Sequence, residues 1–142
     1  MPMFHTASQA QTRKLAASLA KKLKGGGILA LYGPLGSGKT TFVKGLTRAL
    51  GIKSRIISPT FVIIGKYPLA QAHTFYHFDL YRLKNTKELE ELGFSEIISG
   101  KKAVVAIEWP GKVKKLLPKK TIRLQFAHGR NPKERIITIN NL

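Results

Sequence analysis

The sequence contains no cysteine and few acidic residues. With no cysteine in its 142 residues, the chain can form no disulfide, no cysteine-ligated zinc site and no thiol nucleophile. Seven Asp and Glu stand against 25 Lys and Arg, so the formal net charge is +18 at pH 7. A field of that sign favours a polyanionic partner and also attracts a nucleotide. A general lysine enrichment with no partner is the competing interpretation.

Long apolar runs are also missing. The longest uncharged stretch ahead of the first lysine-bearing motif, residues 25–38, is rich in glycine and too short to span a bilayer. The first residues do not have the basic start and apolar segment of a targeting peptide. The length suits one α/β domain over residues 1–142. We therefore expect a cytoplasmic protein without membrane contact.

The glycine loop, residues 33–40, is the motif around which the chain is organised. It reads Gly-Pro-Leu-Gly-Ser-Gly-Lys-Thr and fits G-x-x-x-x-G-K-[ST] without a mismatch. The apolar run of residues 28–32 precedes it as a buried strand would, and residues 40–50 follow with apolar residues at helical spacing. The pattern therefore predicts a strand, a phosphate-binding loop and a helix.

Each residue type in this loop has a chemical reason. Gly36 and Gly38 allow backbone N–H groups to approach a phosphate chain, and the helix start adds its positive end. Lys39 supplies a mobile charge for the β- and γ-phosphates, and Thr40 offers a hydroxyl to Mg²⁺. A glycine turn with an incidental lysine is the alternative interpretation.

Two acidic residues lie within or at the end of predicted strands. Residues 103–108 form an apolar run ending at Glu108, where ligands bind in open α/β sheets. Glu108 is therefore a candidate Mg²⁺ ligand, directly or through water; a lysine-paired glutamate is the alternative.

Asp79, the only aspartate, lies in an aromatic strand predicted over residues 73–83. It suits Mg²⁺ or the positioning of an attacking water, with a salt bridge to Arg82 or a lysine as the alternative.

Thr60 is a further candidate. It lies in the turn-like Ser-Pro-Thr-Phe of residues 58–61, shortly after a predicted short strand at residues 55–57. A threonine on such a loop often senses the γ-phosphate through Mg²⁺. On spacing alone, a proline turn with an N-capping hydroxyl is favoured.

The C-terminal third is basic and strand-rich. Residues 121–126 and 135–139 alternate around a turn at residues 129–132 and predict an antiparallel hairpin. We expect a polyanion-facing patch over residues 112–135, with contact between Arg130 and the nucleotide as the alternative.

Two helix starts are marked by capping residues. Ser8 with Gln11 predicts a helix over residues 8–23, and Asn85 with Glu88 a short acidic helix over residues 85–92. The histidines of the aromatic strand, at positions 73 and 77, are interpreted as packing or hydrogen-bonding residues, since no ligand cluster has metal spacing.

Together these features predict an α/β P-loop NTPase. We expect three layers, with a mostly parallel central sheet, helices on both faces and an antiparallel C-terminal hairpin. In order, the segments GPLGSGKTTF, SPTF, HFDLYR, LEELGFSEII and AIEWP resemble the TsaE (YjeE) family. Members of that family are small bacterial ATPases needed to make threonylcarbamoyladenosine in tRNA. The resemblance covers residues 8–140.

The resemblance implies a role for each matching position. Residues 58–61 would form the first switch, Asp79 would position water or couple the nucleotide state to a partner, and Trp109 would lie beside the site. Thr40 and Glu108 would hold Mg²⁺. The catalytic residues would be Lys39, Asp79 and Thr60, and ATP would be bound by Gln9, Gly33, Gly36, Ser37, Gly38, Lys39, Thr40, Thr41 and Arg130.

The resemblance also implies partners. The family acts with TsaB and with TsaD, which transfers the threonylcarbamoyl group, so this chain would be an ATPase that drives or regulates their cycle and is weak alone. tRNA could contact the basic surface. The chain departs from the usual GDLGAGKT at Pro34 and in its strong positive charge. A small P-loop kinase is the alternative, disfavoured because no lid insertion is visible; a nucleotide-dependent RNA-binding module is a third hypothesis.

Overall fold

Seven strands form one mixed sheet in the computed structural model, which describes residues 2–54 and 64–142. The order across the sheet is β1-β7-β6-β2-β5-β4-β3. The strands are β1 Met3–Thr6, β2 Gly27–Tyr32, β3 Ile64–Pro68, β4 Thr74–Asp79, β5 Ala103–Glu108, β6 Ile122–His128 and β7 Arg135–Asn140.

Parallel pairing is confined to the centre of this sheet. The four strands β6, β2, β5 and β4 pair in parallel, whereas β1–β7, β6–β7 and β3–β4 pair antiparallel. Parallel neighbours need long crossover connections, which the helices supply, while β6 and β7 are joined by a short turn. The predicted hairpin is confirmed, and the predicted parallel character holds for the central strands.

In the part of the chain that the structure describes, four helices and three 3₁₀ segments connect the strands. The predicted caps are confirmed: Ser8 Oγ accepts a hydrogen bond from the Gln11 N–H at 3.2 Å, and Asn85 Oδ1 accepts one from the Glu88 N–H at 3.3 Å. The helices are α1 Gln9–Ala20, α2 Lys39–Ala49, α3 Thr86–Glu91 and α4 Phe94–Ser99. The 3₁₀ segments are Lys21–Leu23, Ala70–Ala72 and Pro110–Leu116.

The helices cover both faces of the sheet, as predicted. One hydrophobic cluster joins α1 and α2 to one face and includes Leu19, Phe42 and Phe126. A second joins α3, α4 and the last 3₁₀ segment to the other face and includes Phe78 and Phe94. No helix within the described residues combines the length and apolar character needed to cross a membrane.

Helices α1 and α2 meet at Gly45. A Cβ at this position would lie 2.6 Å from Arg13 Cα and 2.8 Å from Arg13 O, so only glycine allows the two backbones to approach so closely. The contact fixes the two helices against each other above the sheet.

The basic segment of residues 112–135 extends to both ends of β6, and the polyanion-facing patch expected there stays a prediction. Lys119 and Lys120 precede β6, while Arg130 and Lys133 follow it. The seven residues of β6 separate these pairs by about 23 Å of strand. The predicted short strand at residues 55–57 and the turn containing Thr60 lie outside the described residues.

Candidate functional site

The glycine loop joins the carboxyl end of β2 to the start of α2, as the motif predicts. Gly33 has φ +144°, and a Cβ there would lie 2.6 Å from the Phe126 carbonyl oxygen of β6. Gly38 has φ +100° at the N-cap of α2. Both positions therefore require glycine, and the loop is held directly against the neighbouring strand.

Ser37, inside the loop, has a buried hydroxyl without a partner among the described residues. Its backbone N–H donates to the Pro34 carbonyl at 3.2 Å, so the backbone of this turn is bonded while the side chain is not. A buried hydroxyl with no hydrogen bond is unfavourable, and such a group suits a polar ligand.

Lys39 is folded back onto the loop that carries it. Its Nζ donates to the carbonyl oxygens of Gly33 at 2.5 Å and Pro34 at 2.9 Å, and it lies 4.0 Å from the centre of the Trp109 ring. Burial lowers the pKa of the Lys39 ammonium, and the carboxylates of Glu108 and Asp79 oppose that shift. The charge is therefore desolvated and held by neutral groups, an arrangement that an anion would improve.

Glu108 joins three elements at the carboxyl edge of the parallel strands. Its Oε1 accepts from Thr40 Oγ1 at 3.1 Å, and its Oε2 lies 2.6 Å from His77 Nε2 of β4. Glu108 and His77 are 2% and 0% exposed. His77 thus has the predicted hydrogen-bonding role, but its partner is the candidate metal ligand, which the sequence alone did not indicate.

The side chains of Thr40 and Glu108 suit a magnesium ion, and they do not form a site in which protein side chains alone would hold a metal. The described residues contain no group of three or more His, Cys, Asp or Glu that could hold a metal ion. Thr40 and Glu108 instead offer one hydroxyl and one carboxylate. Mg²⁺ usually keeps several waters and binds through one or two such oxygens together with substrate phosphates.

Asp79 lies beside Glu108 in the register of β4 and β5. It is half-buried, and its Oδ1 accepts from the Tyr81 N–H at 3.1 Å. Trp109 follows Glu108 with φ +58° and packs its ring 4.9 Å from that of Tyr81. The two acids predicted on separate strands are thus brought to one edge of the sheet, next to the loop lysine.

Arg135, at the start of β7, contacts the glycine loop, which the sequence did not indicate. Its Nη2 donates to the Gly36 carbonyl at 3.0 Å and its Nη1 to the Pro132 carbonyl at 2.7 Å. Arg130 is exposed in the hairpin turn and makes no hydrogen bond to the loop within the described part of the chain. Finding Arg135 from the sequence would have required the register of the hairpin, in which it pairs with His128.

The remaining predicted binding residues are less closely tied to the loop. Gln9 is the first residue of α1, exposed, and among the described residues no hydrogen bond links it to residues 33–40. Thr41 is half-buried in the first turn of α2. Their predicted contacts with a nucleotide stay predictions.

Known proteins similar to the chain point to one family. The family model described as "Threonylcarbamoyl adenosine biosynthesis protein TsaE" matches residues 6–137. A Rickettsia conorii protein named "tRNA threonylcarbamoyladenosine biosynthesis protein TsaE" is 40% identical over 135 residues, 94% of this chain and 75% of that protein.

Two comparisons with Bacillus subtilis agree. A protein of the same name is 36% identical over 126 residues, 85% of this chain and 74% of that one. The crystal structure of YdiB matches with a TM-score of 0.75 and 31% identity, covering 97% of this chain and 83% of YdiB.

Proposed function

Because the chain belongs to the TsaE family, we propose that it binds and hydrolyses ATP as a component of tRNA threonylcarbamoyladenosine biosynthesis. The names of the relatives support the pathway. The geometry of the glycine loop and of the two acids beside it supports the chemistry, and the fold is then that of a P-loop NTPase.

The observation that carries the proposal is the hydrogen bond between Thr40 and Glu108. These residues are 68 positions apart, and their side-chain oxygens are 3.1 Å apart. In phosphate-binding loops, the residue at the position of Thr40 binds Mg²⁺. Here its hydroxyl is hydrogen-bonded to Glu108, an acid at the end of the neighbouring parallel strand. A glycine turn with a purely structural role does not require a hydrogen bond between its threonine and a buried carboxylate.

The loop residues would bind the phosphate chain by exchanging partners. Lys39 leaves the carbonyls of Gly33 and Pro34 for phosphate oxygens and so replaces neutral acceptors with charged ones. The unpartnered Ser37 hydroxyl, the loop N–H groups and the start of α2 add donors. Thr41 and Gly36 lie in the same stretch.

Thr40 and Glu108 would hold Mg²⁺, with His77 fixing the carboxylate from behind. A bound ion would neutralise charge on the phosphate chain. Asp79, next to Glu108 in the sheet, would orient the attacking water and accept its proton. Thr60 would complete the site as a switch residue, and Gln9 and Arg130 remain candidates for adenine contact, joined by Arg135.

We further propose that turnover is coupled to the TsaB and TsaD proteins. The exposed aromatic ring of Tyr81 and the exposed Leu35 of the glycine loop flank the site, at 55% and 72% exposure. Apolar side chains at the mouth of a nucleotide site provide a surface through which a partner can sense the nucleotide state.

The test is ATP binding and hydrolysis by the protein alone and with TsaB, TsaD and tRNA. Lys39→Ala should weaken ATP binding about 10- to 100-fold, the equivalent of a lost charge-assisted hydrogen bond. Lys44→Ala, on the exposed side of the same helix, is the matched control and should bind as the wild type does.

Hydrolysis that is weak alone and rises with the partners would support the proposal. Unchanged ATP binding in Lys39→Ala would refute the assignment of the loop. Phosphorylation of a small metabolite without any effect of the partners would identify a kinase instead.

A further inference from the structure

The acidic residues of the chain are unevenly distributed in three dimensions. The first acidic residue in the sequence is Asp79. The α1–α2 layer, defined as residues 9–24 and 39–53, therefore contains no carboxylate side chain. In contrast, the layer on the other face of the sheet contains α3 and α4, which hold four of the seven acids: Glu88, Glu90, Glu91 and Glu96.

The α1–α2 layer is rich in exposed cations. None of these exposed cations forms an ion pair with another described residue. The ion pair found among the described residues is His77–Glu108, which lies in the candidate site. The exposed cations of the layer are Arg13, Lys14, Lys21, Lys22, Lys24, Lys44, Arg48 and Lys53. A general lysine enrichment would mix charges on both faces, whereas here one face is purely cationic.

The two helices present these charges on a fixed surface. Their buried sides face the same hydrophobic cluster, and Gly45 brings α2 into backbone contact with α1 at Arg13. Lys14 lies on the side of α1 opposite the buried Ala16 and Leu19, and Lys21, seven residues further on, begins the 3₁₀ segment that follows α1 directly. The cations therefore extend over the two packed helices and the segments that follow each of them.

The chemistry of this face favours one class of partner. The exposed large apolar side chains of the described residues are Met3, Leu35, Tyr81, Leu92, Leu116 and Leu142, and none lies on α1 or on the outward side of α2. A protein interface needs an apolar or aromatic centre, and a membrane-binding helix needs an apolar side. A phosphate backbone needs only closely spaced positive charge.

We propose that the α1–α2 layer binds the phosphate backbone of RNA. The contact would be independent of base sequence, because lysine and arginine at this surface would meet phosphates rather than base edges. It would also leave the nucleotide site free, since the eight cations lie outside the residues assigned to ATP. The proposal rests on charge and exposure and does not depend on ATP hydrolysis.

The test is a binding assay with a fluorescein-labelled, unmodified tRNA transcript, measured by anisotropy between 50 and 300 mM KCl. The variant replaces Lys14, Lys21, Lys22 and Arg48 by Gln. The matched control replaces Lys87, Lys101, Lys102 and Lys112 by Gln, which removes the same charge from exposed positions outside the layer.

If four phosphate contacts are lost, the slope of log K against log salt should fall by about 3, with affinity at least about tenfold weaker at 100 mM salt. The control should retain most of the wild-type slope, and both variants should bind ATP as the wild type does. Equal weakening in the two variants would overturn the proposal, because binding would then follow net charge alone. So would binding to anionic phospholipid vesicles but not to tRNA.

A second measurement needs no variant. Acetylation footprinting of the wild-type protein should show Lys14, Lys21 and Lys22 protected by tRNA, with Lys101 and Lys102 still reactive. Protection of the second group without the first would refute the assignment of this face.

Discussion

The His77–Glu108 pair predicts a measurable coupling energy. The two side chains are almost fully buried and their atoms are 2.6 Å apart. A hydrogen bond to a charged group contributes about 1.5–3 kcal/mol, and removing one partner leaves the other buried without compensation. We therefore expect His77→Ala and Glu108→Ala to be non-additive by about 2 kcal/mol in the free energy of unfolding.

The assay is urea unfolding of the wild type, the two single variants and the double variant, followed by circular dichroism. In thermal unfolding of a protein of 142 residues, 1 kcal/mol corresponds to about 3 °C in Tm, so the same coupling would appear there as about 6 °C. The matched control is the buried neutral pair Thr6–Thr12, whose hydroxyl oxygens are 2.7 Å apart. Its coupling should be smaller, about 1 kcal/mol.

Additivity of the His77 and Glu108 variants within about 0.5 kcal/mol would refute the reasoning, because residues in one hydrogen-bond network should couple more strongly than that. The pair would then be a contact without energetic consequence. Its use as the fixed support of a metal-binding carboxylate would lose its basis.

Three further predictions concern the site and the fold. Glu108→Gln should make ATP binding much less dependent on Mg²⁺, and an unaltered Mg²⁺ titration would argue against a metal-binding carboxylate. Asp79→Asn should bind ATP normally while steady-state hydrolysis falls about 100-fold or more; equal turnover would reject its role. Gly45→Ala should destabilise the protein by about 1–3 kcal/mol in thermal unfolding, because its Cβ would collide with Arg13. Gly25→Ala, with no atom within 4 Å of its Cβ, is the control and should show no such loss.

The elements around the glycine loop could be predicted because local chemistry defines them. The spacing from Gly33 to Thr40 is a motif in itself, and the covered strand that ends at Glu108 has a continuous apolar pattern. The hairpin of β6 and β7 follows from two alternating runs around a short turn. Family resemblance placed these parts in one protein, and the comparisons confirm that family.

The contacts of His77 and Arg135 could not be predicted, because they depend on which strands are neighbours and in which register. His77 meets Glu108 because β4 pairs in parallel with β5, and Arg135 reaches Gly36 because β7 follows β6 in a particular register. Neither the pairing of β4 with β5 nor the register of β7 against β6 is encoded by spacing along the chain. The same limit applies to residues 112–135, since the sequence alone does not say how a run of lysines is divided between the two ends of a strand.

The fluorescence of Trp109 can report on the position of Lys39. It is the single tryptophan of the chain, and the Lys39 ammonium lies 4.0 Å from its ring centre. Any ligand that draws the lysine away changes the electrostatic environment of the only indole, so the ultraviolet emission of the unlabelled protein reports the position of the Lys39 charge. A stopped-flow emission trace would time the release of Lys39 from the loop, separately from any later chemical step.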